Sequence, residues 1–359
     1  MIPLIYVLQN GGLNGFERMA LATLDGLSEE FAPYLFAPDG EVIQEAQKIG
    51  ISTEIFASRT ELARKLRQSL AAHRELVFLA TDHSHSYSLI LLNAFYRRKI
   101  KHLHLVGGAD DLGKKKKLNK FDVTFVVPTE MARERLISVE ARQDRIRVIE
   151  NFLTEKRKDE IRPRRPFDKN GVRRVLLITR LEPEKKVGLL LDALDSMPEL
   201  NSLEFTIFGG GSELARLRER AAARNPNVVF RGVAEGVENS FAGADLFLHL
   251  CPVQTSGQSI LEALAARLPI LVADSGGIGS IISHNVNGFC FRANDAGHLA
   301  ERLRELSEAP FDLLNAIARG GNHLQNIRFS SENSLSKYRR LIWGQKIPAV
   351  EMTRGKLIL

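Results

Sequence analysis

Arg180 and Lys185 stand five residues apart in TRLEPEKK (179–186), just past an apolar run that reads as a strand. A guanidinium and an ammonium projecting from the carboxyl end of a strand around a proline turn suit a diphosphate. The first binds bidentately and the second acts as a mobile point charge. Taken alone, the same pair could equally be two exposed basic side chains. A second stretch, VQTSGQSILEALAARLP (253–269), opens small and polar and then becomes a helix-period apolar run broken by Glu262 and Arg267. It sets Glu262 on the core side of a helix, eight residues after Gln254 at a strand end. An inward carboxylate there is either satisfied by backbone amides or has a ligand to hold.

Three strand-to-helix turns are rich in glycine: NGGLNGFER (10–18), FGGGSE (208–213) and DSGGIGS (274–280). Glycine lets the backbone approach a phosphate at a helix N-terminus, and it also permits close helix packing. None of the three matches the dinucleotide fingerprint. Histidines fall at two strand ends, His83 and His85 in TDHSHSY and the pair His102 and His104 in KHLHL, the last two on one face of their strand.

The net charge of +7 is unevenly spread. Nine Lys or Arg and two acids, Asp110 and Asp111, lie between Arg97 and Lys120, with Lys114, Lys115, Lys116 and Lys117 at the centre. That run is either a solvated loop or a surface drawn to anionic lipid. Nucleic acid is not expected as a partner, because aromatics are not interleaved with the charges and no binding module is recognisable.

Short apolar runs separated by helix patterns continue along the whole chain, from LIYVL (4–8) to PILVAD (269–274), which argues for parallel sheets covered on both faces. The charged, proline-bearing stretch LTEKRKDEIRPRRPFDKNG (153–171) has linker composition. The expected fold class is therefore α/β, two doubly wound Rossmann-like domains: 1–155, a linker over 156–171, and 172–330, followed by 331–359. Ligands are expected at the carboxyl ends of strands, in the cleft between the domains. A chain that is 44% hydrophobic can build such cores. Its apolar runs are strand-sized, shorter than a membrane span, and MIPLIYVLQN reads as a first strand and not a signal peptide. Cys251 and Cys290 suggest neither zinc nor a disulfide framework, and a cytoplasmic setting is expected.

The order of these motifs resembles glycosyltransferase family 4, the retaining enzymes of GT-B fold, from about residue 4 to about residue 342. NGFER looks like the family's Gly-Gly-x-Glu-Arg turn, TRLEPEKK like Gly-Arg-Leu-x-x-x-Lys-Gly, and FGGGSE like Gly-x-Gly-x-Glu. QTSGQSILEALAARLP looks like the element with two Glu eight residues apart, and DSGGIGSIISHNVNGF is similar to the stretch that follows it. Five in order are specific where one is not.

The resemblance implies roles. Arg180 and Lys185 match the diphosphate pair, Gly15 the first-domain glycine that reaches the same phosphates, and Glu262 the acid that accepts from the ribose hydroxyls. Gln254 stands where the family has the Glu that meets the donor sugar, so a hydrogen-bonding amide replaces a negative charge there. Ser256, Gly257, Gln258 and Ser259 match the segment whose backbone amides meet the sugar and the distal phosphate. His104 is near the family's histidine beside the anomeric carbon, with His102, His83 and His85 as other candidates. Lys186 departs from the family's glycine.

The implied activity is a metal-independent, retaining transfer from a UDP- or GDP-linked sugar to a glycan or glycolipid acceptor, in bacterial surface polysaccharide or lipopolysaccharide synthesis. No cofactor beyond the donor is implied. The first domain would take the acceptor and the second the nucleotide sugar. NSLSKYRRLIW resembles the family's final helix, which crosses back to the first domain. The lysine run would rest on the inner face of an anionic plasma membrane. A nucleotide-sugar epimerase of GT-B fold and a catalytically silent binding subunit are the alternatives.

Overall fold

The structure, a computed structural model, describes residues 1–106, 117–233, 236–252, 257–274 and 281–344. The first seven strands are β1 (Ile2–Val7), β2 (Phe31–Ala37), β3 (Ser52–Ile55), β4 (Glu75–Ala80), β5 (Lys99–Leu105), β6 (Thr124–Val127) and β7 (Ile146–Val148). They form one sheet in the order β3-β2-β1-β4-β5-β6-β7. Every pairing in it is parallel. Between the strands run α1 (Gly15–Gly26), α2 (Glu41–Lys48), α3 (Arg59–Ala72), α4 (His83–Tyr96) and α5 (Glu130–Ser138). Local chemistry starts these helices. Ser58 caps α3 by accepting from Glu61 N at 3.2 Å, and Asp82 caps α4 by accepting from Ser84 N at 2.7 Å.

The stretch read as a linker contains a short helix, α6 (Glu155–Glu160), capped by Thr154. Charge had argued for an irregular segment, but a Thr cap and the i,i+3 pairs Glu155–Lys158 and Arg157–Glu160 supply helical support. The second sheet is built from β8 (Arg174–Ile178), β9 (Glu204–Phe208), β10 (Val228–Gly232), β11 (Leu246–His249), β12 (Ile270–Asp274) and β13 (Phe289–Arg292). Its order is β10-β9-β8-β11-β12-β13, again parallel. Its helices are α7 (Gly188–Ser196), α8 (Leu214–Arg224), α9 (Ser240–Gly243), α10 (Gln258–Ala265), α11 (Ala296–Glu308) and α12 (Phe311–Arg328). β13 and α12 were not expected from the sequence.

Each sheet carries apolar packing on both faces, as its two-sided apolar strands require. The last helix, α13 (Ser331–Ile342), returns to the first domain and places Leu335, Tyr338 and Leu341 in the core beside α1. Each such chain is worth about 1.5–3 kcal/mol when buried. The chain crosses between domains twice at one place, where Leu153 N donates to Phe329 O at 3.4 Å. Glu150 fastens that crossing: its carboxylate, 6% exposed, accepts from Lys337 Nζ at 2.5 Å and Arg328 Nε at 3.2 Å.

Candidate functional site

Both sheets follow the doubly wound order, so each reverses direction beside its first strand, and the crevice lies outside the carboxyl ends there. In the second sheet that point falls between β8 and β11, the strands that lead into TRLEPEKK and into α10.

Arg180 and Lys185 follow β8 on a turn with little freedom. Leu181 N donates to Gly210 O at 2.8 Å, and Glu213 N donates back to Leu181 O at 2.9 Å. The three glycines of FGGGSE make this backbone-to-backbone approach possible: a Cβ on Gly209, at φ +140°, would lie 1.8 Å from Thr179 O. The glycine-rich turn thus braces the cation-bearing turn. Pro183 begins a 3₁₀ turn that ends at Lys185, and Lys186 then adopts φ +57°, the left-handed conformation that suits glycine. The family's glycine at this place therefore has a backbone reason, and Lys186 occupies the same conformation under strain. Arg180 is 62% exposed and 3.5 Å from Glu184. Lys185 is half-buried and sends Nζ to within 3.9 Å of Cys251 Sγ, past the end of β11. The Cys251 thiol donates to Glu184 O at 3.3 Å. Burial, with the Lys185 charge adding to it, pushes the His249 imidazole down to about 3, so it stays neutral beside the cation.

Beyond β11, Gly257 holds φ +58° before the first residue of α10. Gln258 and Glu262, one turn apart, share a helix face that meets the first domain and the crossing. Gln258 Nε2 donates to Phe152 O at 3.3 Å and lies 3.2 Å from Met19 Sδ. Glu262 is 14% exposed, and its Oε1 accepts from Arg157 Nε at 2.8 Å. Burial raises the Glu262 pKa, against the nearby charges of Arg157 and of Arg18 from the NGFER turn. Arg157 also meets Glu160 at 2.9 Å and Glu238 at 3.5 Å. Among the described residues Oε2 has no hydrogen-bond partner, so one carboxylate oxygen is fixed while the other can accept from a hydroxyl. Ser259 is half-buried on the same helix.

In the first domain, Gly15 is the first residue of α1, and Asn14 N donates to Glu17 Oε2 at 3.2 Å. Glu17, the acid of the NGFER motif, is buried and serves as a helix cap. His104 is the last residue but one of β5. Its ring is fully buried, packs edge-on to Phe125 and lies 3.0 Å, through Nδ1, from Ser86 Oγ. The same hydroxyl lies 2.9 Å from His102 Nε2. In this sheet, covered on both faces, the His104 side chain packs under α4. His102 and His85 are buried as well, whereas His83 is partly exposed at the start of α4.

Gln254, Ser256, Lys114, Lys115, Lys116 and the DSGGIGS turn from Ser275 on lie outside the described residues. Lys117 is exposed and begins a 3₁₀ turn, Lys117–Lys120. Arg157 was missed by sequence reasoning. Its signal was Thr154 followed by alternating charge, which marks a capped helix, but nothing local says that this helix faces Glu262.

Two doubly wound domains joined by a double crossing define the GT-B architecture. Over 96% of this chain and 100% of the other, it is similar to the crystal structure of Anabaena Alr3699/HepE in complex with UDP and glucose, with TM-score 0.80 at 17% identity. A glycosyltransferase from Rickettsia africae ESF-5 gives TM-score 0.81 at 18% identity over 95% of this chain and 98% of that one. Residues 158–323 match the family described as Glycosyl transferases group 1. The family match thus falls on the second domain of a chain with GT-B fold. Over 137 residues the chain is 31% identical to a GDP-mannose-dependent alpha-mannosyltransferase of Mycobacterium tuberculosis (strain CDC 1551 / Oshkosh), covering 38% of this chain and 34% of that protein. The amylovoran biosynthesis glycosyltransferase AmsK of Erwinia amylovora is 27% identical over 40% and 38%. These matches span little more than a third of the length of the curated relatives.

Proposed function

We propose that the chain is a metal-independent, retaining glycosyltransferase of family 4 that moves a sugar from a nucleotide-diphosphate sugar to a glycan or glycolipid acceptor. The observation that carries this reading is the gathering of Arg180, Lys185 and the α10 face with Gln258 and Glu262 at the crevice between β8 and β11. The names of similar proteins agree with a nucleotide-sugar donor, since they include a UDP complex and GDP-mannose-dependent enzymes. Arg180 and Lys185 would take the diphosphate, with Gly15 of α1 opposite, and Glu262, oriented by Arg157, would accept from a ribose hydroxyl through Oε2. Gln254, Ser256, Gly257 and Ser259 would complete the sugar and distal-phosphate contacts.

The anomeric C–O bond to the diphosphate breaks while the acceptor oxygen bonds to the same carbon from the same face. The acceptor proton passes to the departing phosphate oxygen. Charge builds on that leaving group, and Arg180 and Lys185 offset it where a metal would otherwise act. No other cofactor is needed. The role belongs to bacterial surface polysaccharide or lipopolysaccharide synthesis, with the basic first domain resting on the inner face of an anionic membrane. No helix among the described residues is long and apolar enough to cross one.

The test is hydrolysis and transfer from a panel of UDP- and GDP-sugars in EDTA, with the product anomer read by NMR. Turnover with retained configuration supports the reading; inversion, or activity only after magnesium or manganese is restored, contradicts it.

A further inference from the structure

The first sheet has its own reversal, beside β1 and β4, and there a cavity of about 420 Å3 opens between the starts of α3 and α4 and the Lys117–Lys120 turn. That volume lies in the range of small-molecule sites. Arg59, the first residue of α3, Lys117 and His83 all line it. No carboxylate lines the cavity among the described residues, and neither Arg59 nor Lys117 is ion-paired there. Asp82, next to His83 in the chain, is held by capping α4 through Ser84 N at 2.7 Å, and its other oxygen lies 3.8 Å from His83 Nδ1. Tyr87 adds a hydroxyl to the lining, while the Ser84 hydroxyl donates to Asp82 Oδ1 and the Ser88 hydroxyl to Ser84 O at 2.9 Å. Leu91 forms the lip, 65% exposed, and Phe95, 86% exposed, continues the same face of α4 one turn on. Cations with no ion pair among the described residues, a phenol hydroxyl and an apolar lip are complementary to a molecule that carries an anion at one end and an apolar portion at the other.

We propose that this cavity is an acceptor subsite for a phosphate-bearing group, with Arg59 and Lys117 as its anion contacts and Leu91 as the rest for the apolar portion. The proposal deepens the reading of the chain as a glycosyltransferase and rests on it for the word acceptor; the binding itself does not. A phosphate can come from a lipid or from a sugar, and both chemistries share the same floor.

The experiment is calorimetric titration of the full chain with three probes: monomeric dihexanoyl phosphatidic acid, glucose 1-phosphate, and uncharged dihexanoylglycerol. The wild type should bind at least one phosphate probe, and Arg59→Gln/Lys117→Gln should weaken that binding at least tenfold, while dihexanoylglycerol binds no better than the double variant binds the phosphate. Tighter phosphatidic acid than glucose 1-phosphate, lost in Leu91→Ser, identifies a lipid source; the reverse order identifies a glycan. UDP or GDP affinity, measured on the same samples, should be unchanged in the double variant. Absence of UDP and GDP binding in the wild type would strike the proposed function and leave the subsite standing. The subsite is overturned if neither phosphate probe binds, if the double variant binds like wild type, or if the uncharged probe binds as tightly as phosphatidic acid.

Discussion

The two crevices of this molecule are built in opposite ways. In the second domain the turn bearing Arg180 and Lys185 is pinned backbone to backbone against Gly209–Gly211, and Glu262 is held by Arg157 from the crossing segment. In the first domain the cavity between α3 and α4 is walled by Arg59 and Lys117 with no ion pairs among the described residues. A group shared by many ligands, such as a diphosphate, can be met by fixed geometry, whereas a variable partner is better met by loosely held charge. The family match covers residues 158–323, and so the pinned crevice and not the open one.

The largest expected effect breaks the pinned side. Gly209→Ala drives a Cβ into Thr179 O at a positive φ and should cost about 3 kcal/mol or more, read by urea unfolding. Arg59→Gln/Lys117→Gln in the open crevice should stay within about 0.5 kcal/mol of wild type by the same measurement. Equal losses at both places would erase the contrast. Next in size, Arg157→Ala leaves the Glu262 carboxylate buried without its partner and should cost about 3 kcal/mol at neutral pH. Because burial already raises the Glu262 pKa, the folded state binds that proton more tightly than the unfolded chain does. The contribution is present below the ordinary carboxyl pKa and is lost as pH rises through the raised one. The penalty of Arg157→Ala should grow as pH rises past the raised value, where the wild-type carboxylate is ionised beside Arg157 and the variant's carboxyl resists ionising.

One buried histidine in each domain sharpens the comparison further. His102 and His249 are each held down to about 3 by burial, against an ordinary 6.5. The unfolded chain binds more protons between those values, so stability should rise with pH from about 3 to 6.5 and be lost as pH falls. His102→Leu or His249→Leu should each flatten that slope by up to about 1.4 kcal/mol per pH unit. Unequal flattening would mean that the two domains unfold separately. The smallest effect is Lys186→Gly, which relieves a left-handed lysine and should add about 0.5 kcal/mol, the strain relieved exceeding the entropy glycine loses on folding.

The alternation of apolar runs and helix patterns carried the architecture, since a parallel sheet covered on both faces leaves that signature. β13 and α12 escaped for physical reasons. β13 is four residues long and follows Gly288, which packs against Ile282 and Ile270. The pattern of α12 is interrupted by Gly320 and Gly321, which read as breakers; a Cβ there would meet Val286 O at 2.4 Å and Leu264 Cδ2 at 2.7 Å, so packing requires both. The placement of Arg180, Lys185 and Glu262 was legible because each follows a strand in its own segment. The partnership of Glu262 with Arg157, 105 residues away, was not, and neither was the packing of His104 under α4, because a strand covered on both faces does not reveal which face a side chain takes.

Calorimetric titration of UDP and GDP into wild type, Lys185→Ala and Glu262→Ala, in EDTA, tests the donor crevice most directly. The account predicts that one of the two nucleotides binds the wild type and that each variant weakens it by about 1.5–3 kcal/mol, the loss of one charge-assisted contact. Wild-type affinity in both variants would contradict it.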